Sequence, residues 1–337
     1  MGVGVLYPKL RNSGCRGVGN LAILPGMDTL GIENLTIEPA PHERQSGALA
    51  LVFRDLPPEQ RAEHVAGLLD QSRDGTLPLG GLLDACRNGR QVGALWAHLQ
   101  PGNTAALWPV RLVEGEGEPI AQRLLNAAVE YFHRHKVCLA QSLIYTDTGS
   151  DADRLRSVGF IHLSDLLYMV CTGDSFPTSD PREISATPYE VEPYDETQHE
   201  RLTGIVERTY EQTLDCPDLD GVRDIADVLA GYRATGQFNP ARWLFVRCKG
   251  RDAGCLLLTD HPSAEQWELI YMGVVPEQRG RGLGVELARY AQWLAGKADT
   301  QRLVLAVDAA NEPAIAAYSA AGFSAWDRRS VFLRRLE

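Results

Sequence analysis

The sequence predicts an α/β protein, of the α+β mixed-sheet kind, built as two tandem domains of one plan. Three observations predict it. A stretch near the middle, TGDSFPTSDPREISATPY (172–189), is rich in Pro, Ser, Thr and Asp and lacks apolar periodicity, as a linker does. Similar pieces recur in the same order on each side of it. The second copy alone carries a glycine- and arginine-rich loop between a strand and a helix.

Taken in order, residues 1–34 are glycine-rich, their first acid is Asp28, and they hold no apolar run long enough for a secretory signal. They are expected to be a disordered leader, with Met27 a second possible start. Gly17 to Ala22 fits GxGxxA, but no strand precedes it and no amphipathic helix follows, so it is a false match. The first domain is expected over 35–171 and the second over 190–337. Each carries a glycine-turn hairpin, at Asn88–Gly93 and at Lys249–Gly254. A strand with a Trp follows, AALWPVRLV (105–113) and QWELIYMGVV (266–275). Next come an amphipathic helix, IAQRLLNAAVEYF (120–132) and VELARYAQWLA (285–295), and a further strand, CLAQSLIYT (138–146) and RLVLAVDA (302–309). A short helix then ends in Gly-Phe, at Phe160 and at Phe323, and a last strand closes each half. The second domain opens with two helical segments, 199–212 and 221–232.

Bulk properties narrow the function. The chain has 337 residues, 44% apolar and 23% charged, enough for two cores of ordinary size. A net charge of -11 argues against nucleic-acid partners. No apolar run suits a membrane span. Seven cysteines without a CxxC pair read as reduced thiols of a cytoplasmic protein, and no HExxH or other ligand spacing suggests a metal.

The loop VVPEQRGRGLG (274–284) carries the chemistry. Pro276 stops the strand before it, and Leu287, Tyr290, Ala291 and Leu294 share one face of the helix after it. The loop therefore sits at a helix N-terminus, where N–H groups lack partners and the dipole is positive. Glycines let an anion approach those groups. The expectation is a phosphate or pyrophosphate cradle, with Arg279 and Arg281 adding charge. The loop has neither the lysine of a Walker A loop nor the third glycine of a dinucleotide fingerprint, since Val285 stands there.

Arg279-Gly280-Arg281-Gly282-Leu283-Gly284 resembles the R/Q-x-x-G-x-G/A loop of the GCN5-related N-acetyltransferases (GNAT). The strand before it, the helix and strand after it, and NEPAIAAYSAAGF (311–323) resemble that family's later motifs in order. The resemblance implies acetyl-CoA as cosubstrate, its pyrophosphate held by the backbone of 279–285, from Arg279 to Val285. It also implies that the pantetheine arm pairs with the backbone near Met272, Val274 and Val275.

Acyl transfer from a thioester to an amine needs a proton acceptor, a polarised carbonyl and a proton donor for the thiolate. Counting by twos puts Glu268 on one face with Ile270, Met272 and Val274, where a desolvated carboxylate suits a general base. The resemblance places a catalytic glutamate on this strand and a general acid at Tyr318. Asn311 has the pattern of an N-cap, and the resemblance implies a cofactor contact there as well. Asp215, Asp218 and Asp220, in the connection between the two early helices, are candidates for binding the amine, or simply turn residues.

In the first copy the loop reads Glu114-Gly115-Glu116-Gly117-Glu118-Pro119, with three carboxylates and no arginine. Leu155 stands where Tyr318 does, and 105–108 hold no acid. That copy is expected to be degenerate and structural. The expected activity is N-acyl transfer, most simply N-acetyl transfer, to a small-molecule or peptide amine by direct attack, by a monomer with pseudo-dimeric domains or a homodimer. The alternative is a non-catalytic acyl-CoA-binding sensor or scaffold.

Overall fold

The computed structural model describes residues 34–185, 188–215 and 224–336. Their contacts divide them into two units, each described by itself. The expected leader falls, apart from Asn34, outside the described residues.

The first unit comprises residues 34–161 together with 332–336. In chain order it holds β1 (Leu35–Pro39), α1 (His42–Val52), α2 (Pro58–Arg73), β2 (Leu82–Arg87), β3 (Arg90–Gln100), β4 (Thr104–Leu107), β5 (Arg111–Leu112), α3 (Glu118–Arg134), β6 (Leu139–Ile144) and α4 (Ser150–Ser157). The sheet order is β1-β2-β3-β4-β6 and then the end of a strand, Ser324–Arg335, from the far end of the sequence; β5 pairs with β3. On one face α3 and α4 bury Ile120, Leu124, Ala128 and Leu155. The spacing of four between Ile120, Leu124 and Ala128 makes one apolar stripe along α3. On the other face α1 and α2 bury Leu49, Val52, Val65 and Leu68 against Leu82 and Trp96.

His64 of α2 meets Phe53 edge to face, with centroids 4.6 Å apart. Burial pushes its imidazole down to about 4. The unfolded chain therefore takes up a proton near pH 6.5 that the folded unit refuses. Stability should be fully present above about pH 6.5 and fall as pH drops toward 4. Melting curves across that range should flatten in His64→Phe; an unchanged slope would contradict this account.

The second unit spans 162–331. It holds β7 (Ile161–Thr172, from its second residue), β8 (Glu190–Pro193), α5 (His199–Tyr210), α6 (Ile225–Ala234), β9 (Trp243–Cys248), β10 (Arg251–His261), β11 (Gln266–Val274), α7 (Leu283–Lys297), β12 (Arg302–Asp308), α8 (Glu312–Ala320) and most of β13 (Ser324–Arg335). The sheet order is β13-β7-β12-β11-β10-β9-β8. One core lies under α7 and α8, around Leu287, Ala291, Leu305 and Phe323. The other lies under α5 and α6, around Ile205, Leu229, Phe245 and Tyr271.

Two expectations about domain ends are corrected. Strand β7, expected to close the first domain, pairs antiparallel with β12 of the second unit from Thr172 to Leu166. The chain's last strand, expected to close the second, ends with Phe332 and Leu336 buried in the first unit's core. Nor is 172–189 a free linker. It has short 3-10 turns at Gly173–Ser175 and Pro181–Glu183, and Phe176 and Tyr189 are buried in the core under α7. Residues 186–187 lie outside the described residues. Among the described residues no helix is long and apolar enough to cross a membrane.

Candidate active site

Strands β11 and β12 run parallel, but they pair only at Gln266, Trp267 and Glu268, opposite Arg302, Leu303 and Val304. Both continue, β11 to Val274 and β12 to Asp308, without further pairing to each other. Past Glu268 the strands therefore part, and β11 presents an open edge. Val275 N–H donates to Ala253 O across the β10 side at 3.0 Å. By the alternation of an antiparallel ladder, the amides of Met272 and Val274 face the open edge. Val275 does not: its N–H is used on β10 and its carbonyl accepts from Gln278 N. Its expected part in pairing is corrected accordingly.

Beyond β11 a 3-10 turn, Pro276–Gln278, leads into the loop, and α7 begins at Leu283. Its N-cap is Gly282, in the left-handed region at φ 81 and with no side-chain cap. Gly280 has φ 72, and a Cβ at either glycine would meet nothing within 4 Å, so the space above them is open. Val285 N and Glu286 N both donate to Gly282 O. Arg279 N donates to Pro276 O. The donors left to the cradle are thus the N–H groups of Gly280, Gly282, Leu283 and Gly284, gathered at the positive end of the helix. Val285 and Arg279, expected to contribute, have theirs committed.

Arg279 brings a second correction. Its side chain does not add charge to the cradle. Nε donates to Val274 O, Nη2 to Thr209 O, and Nη1 to Glu211 O and Gln212 O, at 2.9 to 3.3 Å. It fastens the loop to the end of β11 and to the end of α5. Arg279→Ala should lower the melting temperature by roughly 4–8 °C, for a loss on the order of 2 kcal/mol. Arg279→Lys, lacking the planar fork, should recover little of it. A melting temperature unchanged in the alanine variant would contradict the clamp. Arg281 is exposed.

The opened strands, α7 and α8 converge. A Cβ on Gly284 would stand 3.8 Å from Ala317 Cβ and 3.9 Å from Met272 Cε. The next residue of α8, Tyr318, is buried, its ring edge-on to Phe323 at 5.8 Å. Burial first, and then the nearby Asp215 charge, push its phenol well above the usual range. Asp215 Oδ1 also accepts from Asp308 N at 3.3 Å, so the structure does bring Asp215 beside β12 and Tyr318. Asp218 and Asp220 lie outside the described residues. Asn311 caps α8, its Oδ1 accepting from Ala314 N at 3.2 Å.

The face assigned to Glu268 by counting is corrected by a bulge. Leu257 pairs with Tyr271 but Leu258 with Leu269, leaving Ile270 extra. Trp267 and Leu269 pack under α7, as do Met272 and Val274, whereas Ile270 and Tyr271 pack under α5 and α6. Glu268 thus faces α5 and α6, opposite to Met272 and Val274. Its carboxylate meets His261 Nε2 at 2.8 Å. On the same face lie three tyrosines that counting did not single out. Tyr271 and Tyr232 stack at 5.3 Å, and Tyr210 and Tyr232 share a hydroxyl contact at 3.0 Å.

The first unit repeats this layout without its chemistry. β4 and β6 also pair in parallel over three residues, ending at Ala106 opposite Gln141, so Ala106 stands in the place of Glu268. Helix α3 starts at Glu118 after Gly117, with Pro119 in its first turn. Glu116 pairs with Arg87 and Glu118 with Arg154.

Residues 207–323 match the profile of the Acetyltransferase (GNAT) family. The chain carries a GNAT domain. That match covers the cradle, the parted strands and Tyr318. Solved structures agree on the fold along most of the chain. A GCN5-related N-acetyltransferase from Sphaerobacter thermophilus aligns at a TM-score of 0.64 and 17% identity, over 90% of this chain and 96% of its own. A putative acetyltransferase from Pyrococcus horikoshii aligns at 0.53 and 10%, over 93% of each. A tandem GNAT protein from the clavulanic acid biosynthesis pathway aligns at 0.50 and 17%, over 89% and 98%. No curated protein matches the sequence. The two-copy plan expected from the repeats is thus shared with a tandem GNAT fold.

Proposed function

We propose that this chain is an acyl-CoA-dependent N-acyltransferase, using acetyl-CoA as cosubstrate, with its active site in the GNAT domain of the second unit. One observation carries the proposal: the peptide N–H groups of Gly280, Gly282, Leu283 and Gly284, under open glycines, lie past the end of β11 where it parts from β12, with Glu268 at the last paired position and the buried phenol of Tyr318 on α8. The cradle suits a diphosphate, because its donors are fixed and the helix dipole favours negative charge. The N–H groups of Met272 and Val274 and the Met272 carbonyl suit an amide-rich arm, which would lie as an added strand, while the Val274 carbonyl is held by Arg279.

In this reading Glu268 accepts a proton from the acceptor's ammonium group. The freed nitrogen lone pair attacks the thioester carbonyl carbon, a C–N bond forms and the C–S bond breaks. Tyr318, kept protonated by burial, gives its proton to the departing sulfur, and the second proton that the nitrogen sheds as the amide forms restores the phenol. Desolvation also disfavours the thiolate there, which keeps the transfer favourable. Asp215 would hold a cationic part of the acceptor, a small-molecule or peptide amine. The cytoplasm is the compartment this reading implies.

The test is thiol release from acetyl-CoA across a panel of primary amines comprising a polyamine, an amino sugar, an amino acid and a peptide N-terminus. Amine-dependent release is expected. Tight binding of acetyl-CoA with no release for any amine would favour the sensor or scaffold instead.

A further inference from the structure

We infer that His261 is a positioning residue for Glu268, and that the two side chains act as one proton-accepting unit. The inference rests on the reading of Glu268 as the base.

The sequence separates the two by a turn, and the hairpin joins them. His261 pairs with Gln266, and Thr259 with Glu268, so His261 is the diagonal neighbour of Glu268 on one face. Nε2 and Oε2 are 2.8 Å apart, and the side chains are only 19% and 17% exposed. The space beside the ring is narrow as well. Gly236, at φ 58, lies so near that a Cβ there would stand 2.9 Å from His261 Cε1 and 2.6 Å from Asp260 O. That backbone is itself pinned, since Gln237 N donates to Asp260 O and Thr259 Oγ1 donates to Thr235 O, each at 2.7 Å. Only glycine fits there, because any side chain would run into the backbone of Asp260 and the imidazole.

A long acidic side chain alone on a strand samples several rotamers, and catalysis needs one. An imidazole N–H donating to Oε2 fixes the carboxylate and leaves Oε1 to take the ammonium proton. It does so without setting a permanent cation beside the acceptor's nitrogen, as Lys or Arg would. The arrangement lies on the α5 and α6 face, the same face as the Tyr210, Tyr232 and Tyr271 cluster.

The test uses the full chain, acetyl-CoA and the amine of highest turnover from the panel above, comparing His261→Phe, His261→Gln, Glu268→Gln and the double variant H261F/E268Q. His261→Phe should lower kcat by about 10-fold or more, with KM for acetyl-CoA moving less than about 2-fold, since positioning acts on the reacting state. His261→Gln, whose amide N–H can still donate, should recover most of the rate. The double variant should be no slower than Glu268→Gln alone, because residues acting as a unit are not additive. Full kcat in His261→Phe while Glu268→Gln is slow would overturn the inference and leave the base intact. So would multiplying effects in the double variant, or no rescue by Gln. Full rate in Glu268→Gln would instead remove the base itself, and His261 with it.

Discussion

Glu268→Gln is expected to lower turnover about 100-fold to 10,000-fold, the range that a lost general base commands. The amide is close in size to the carboxylate, so packing is kept. Its contact to His261 Nε2, now 2.8 Å, can be retained by a change of donor. Only the capacity to take a proton is removed. The affinity for acetyl-CoA should not change, because the bulge at Ile270 turns Glu268 toward α5 and α6 while the cradle begins past Val274 on another surface. Steady-state thiol release and calorimetric titration on the same preparation separate the two quantities. A variant that binds acetyl-CoA normally and turns over at full rate would exclude Glu268 as the base.

Gly282→Glu should nearly abolish acetyl-CoA binding, weakening it by more than about 100-fold, or roughly 2.7 kcal/mol. Two effects combine. Any side chain at φ 81 is strained, by about 1–2 kcal/mol. A carboxylate in the open space above the loop would also occupy the positive end of α7 and repel a diphosphate. Gly282→Ala carries the strain without the charge, so it should show a similar loss of melting temperature and a much smaller loss of affinity. Equal affinity losses in the two variants would mean that loop geometry alone decides binding. The first unit already contains the natural version of this experiment, with Glu116 and Glu118 beside the start of α3 and held by Arg87 and Arg154.

The features legible in the sequence were those set by neighbouring residues. Glycine turns gave the hairpins, periodicity gave α3 and α7, and Pro276 with Gly282 placed the loop at the start of a helix. Asn311 read as a cap because capping is decided within a few residues, and it caps α8. What was not legible depended on register or on distant partners. A bulge adds one residue and reverses every face after it, so counting by twos from Glu268 failed at Ile270. Arg279 looked like a cradle charge because nothing nearby in sequence announces the carbonyls of Thr209, Glu211 and Gln212. His261 would have been found by building the hairpin from its turn, which makes it a diagonal neighbour of Glu268. The final strand of each half could not be assigned, since either half offers a compatible edge. Phe176 and Tyr189 sit in a stretch whose Pro and Ser content hid two core residues.

The most direct measurement is amide hydrogen exchange on the full chain with and without saturating acetyl-CoA. Residues 280–284 should gain protection, with a smaller gain at Met272 and Val274, while 114–120 of the first unit stay unchanged. Protection confined to the first unit's loop, or none at 280–284 at a dose that saturates binding, would contradict the cradle on which the proposed activity depends.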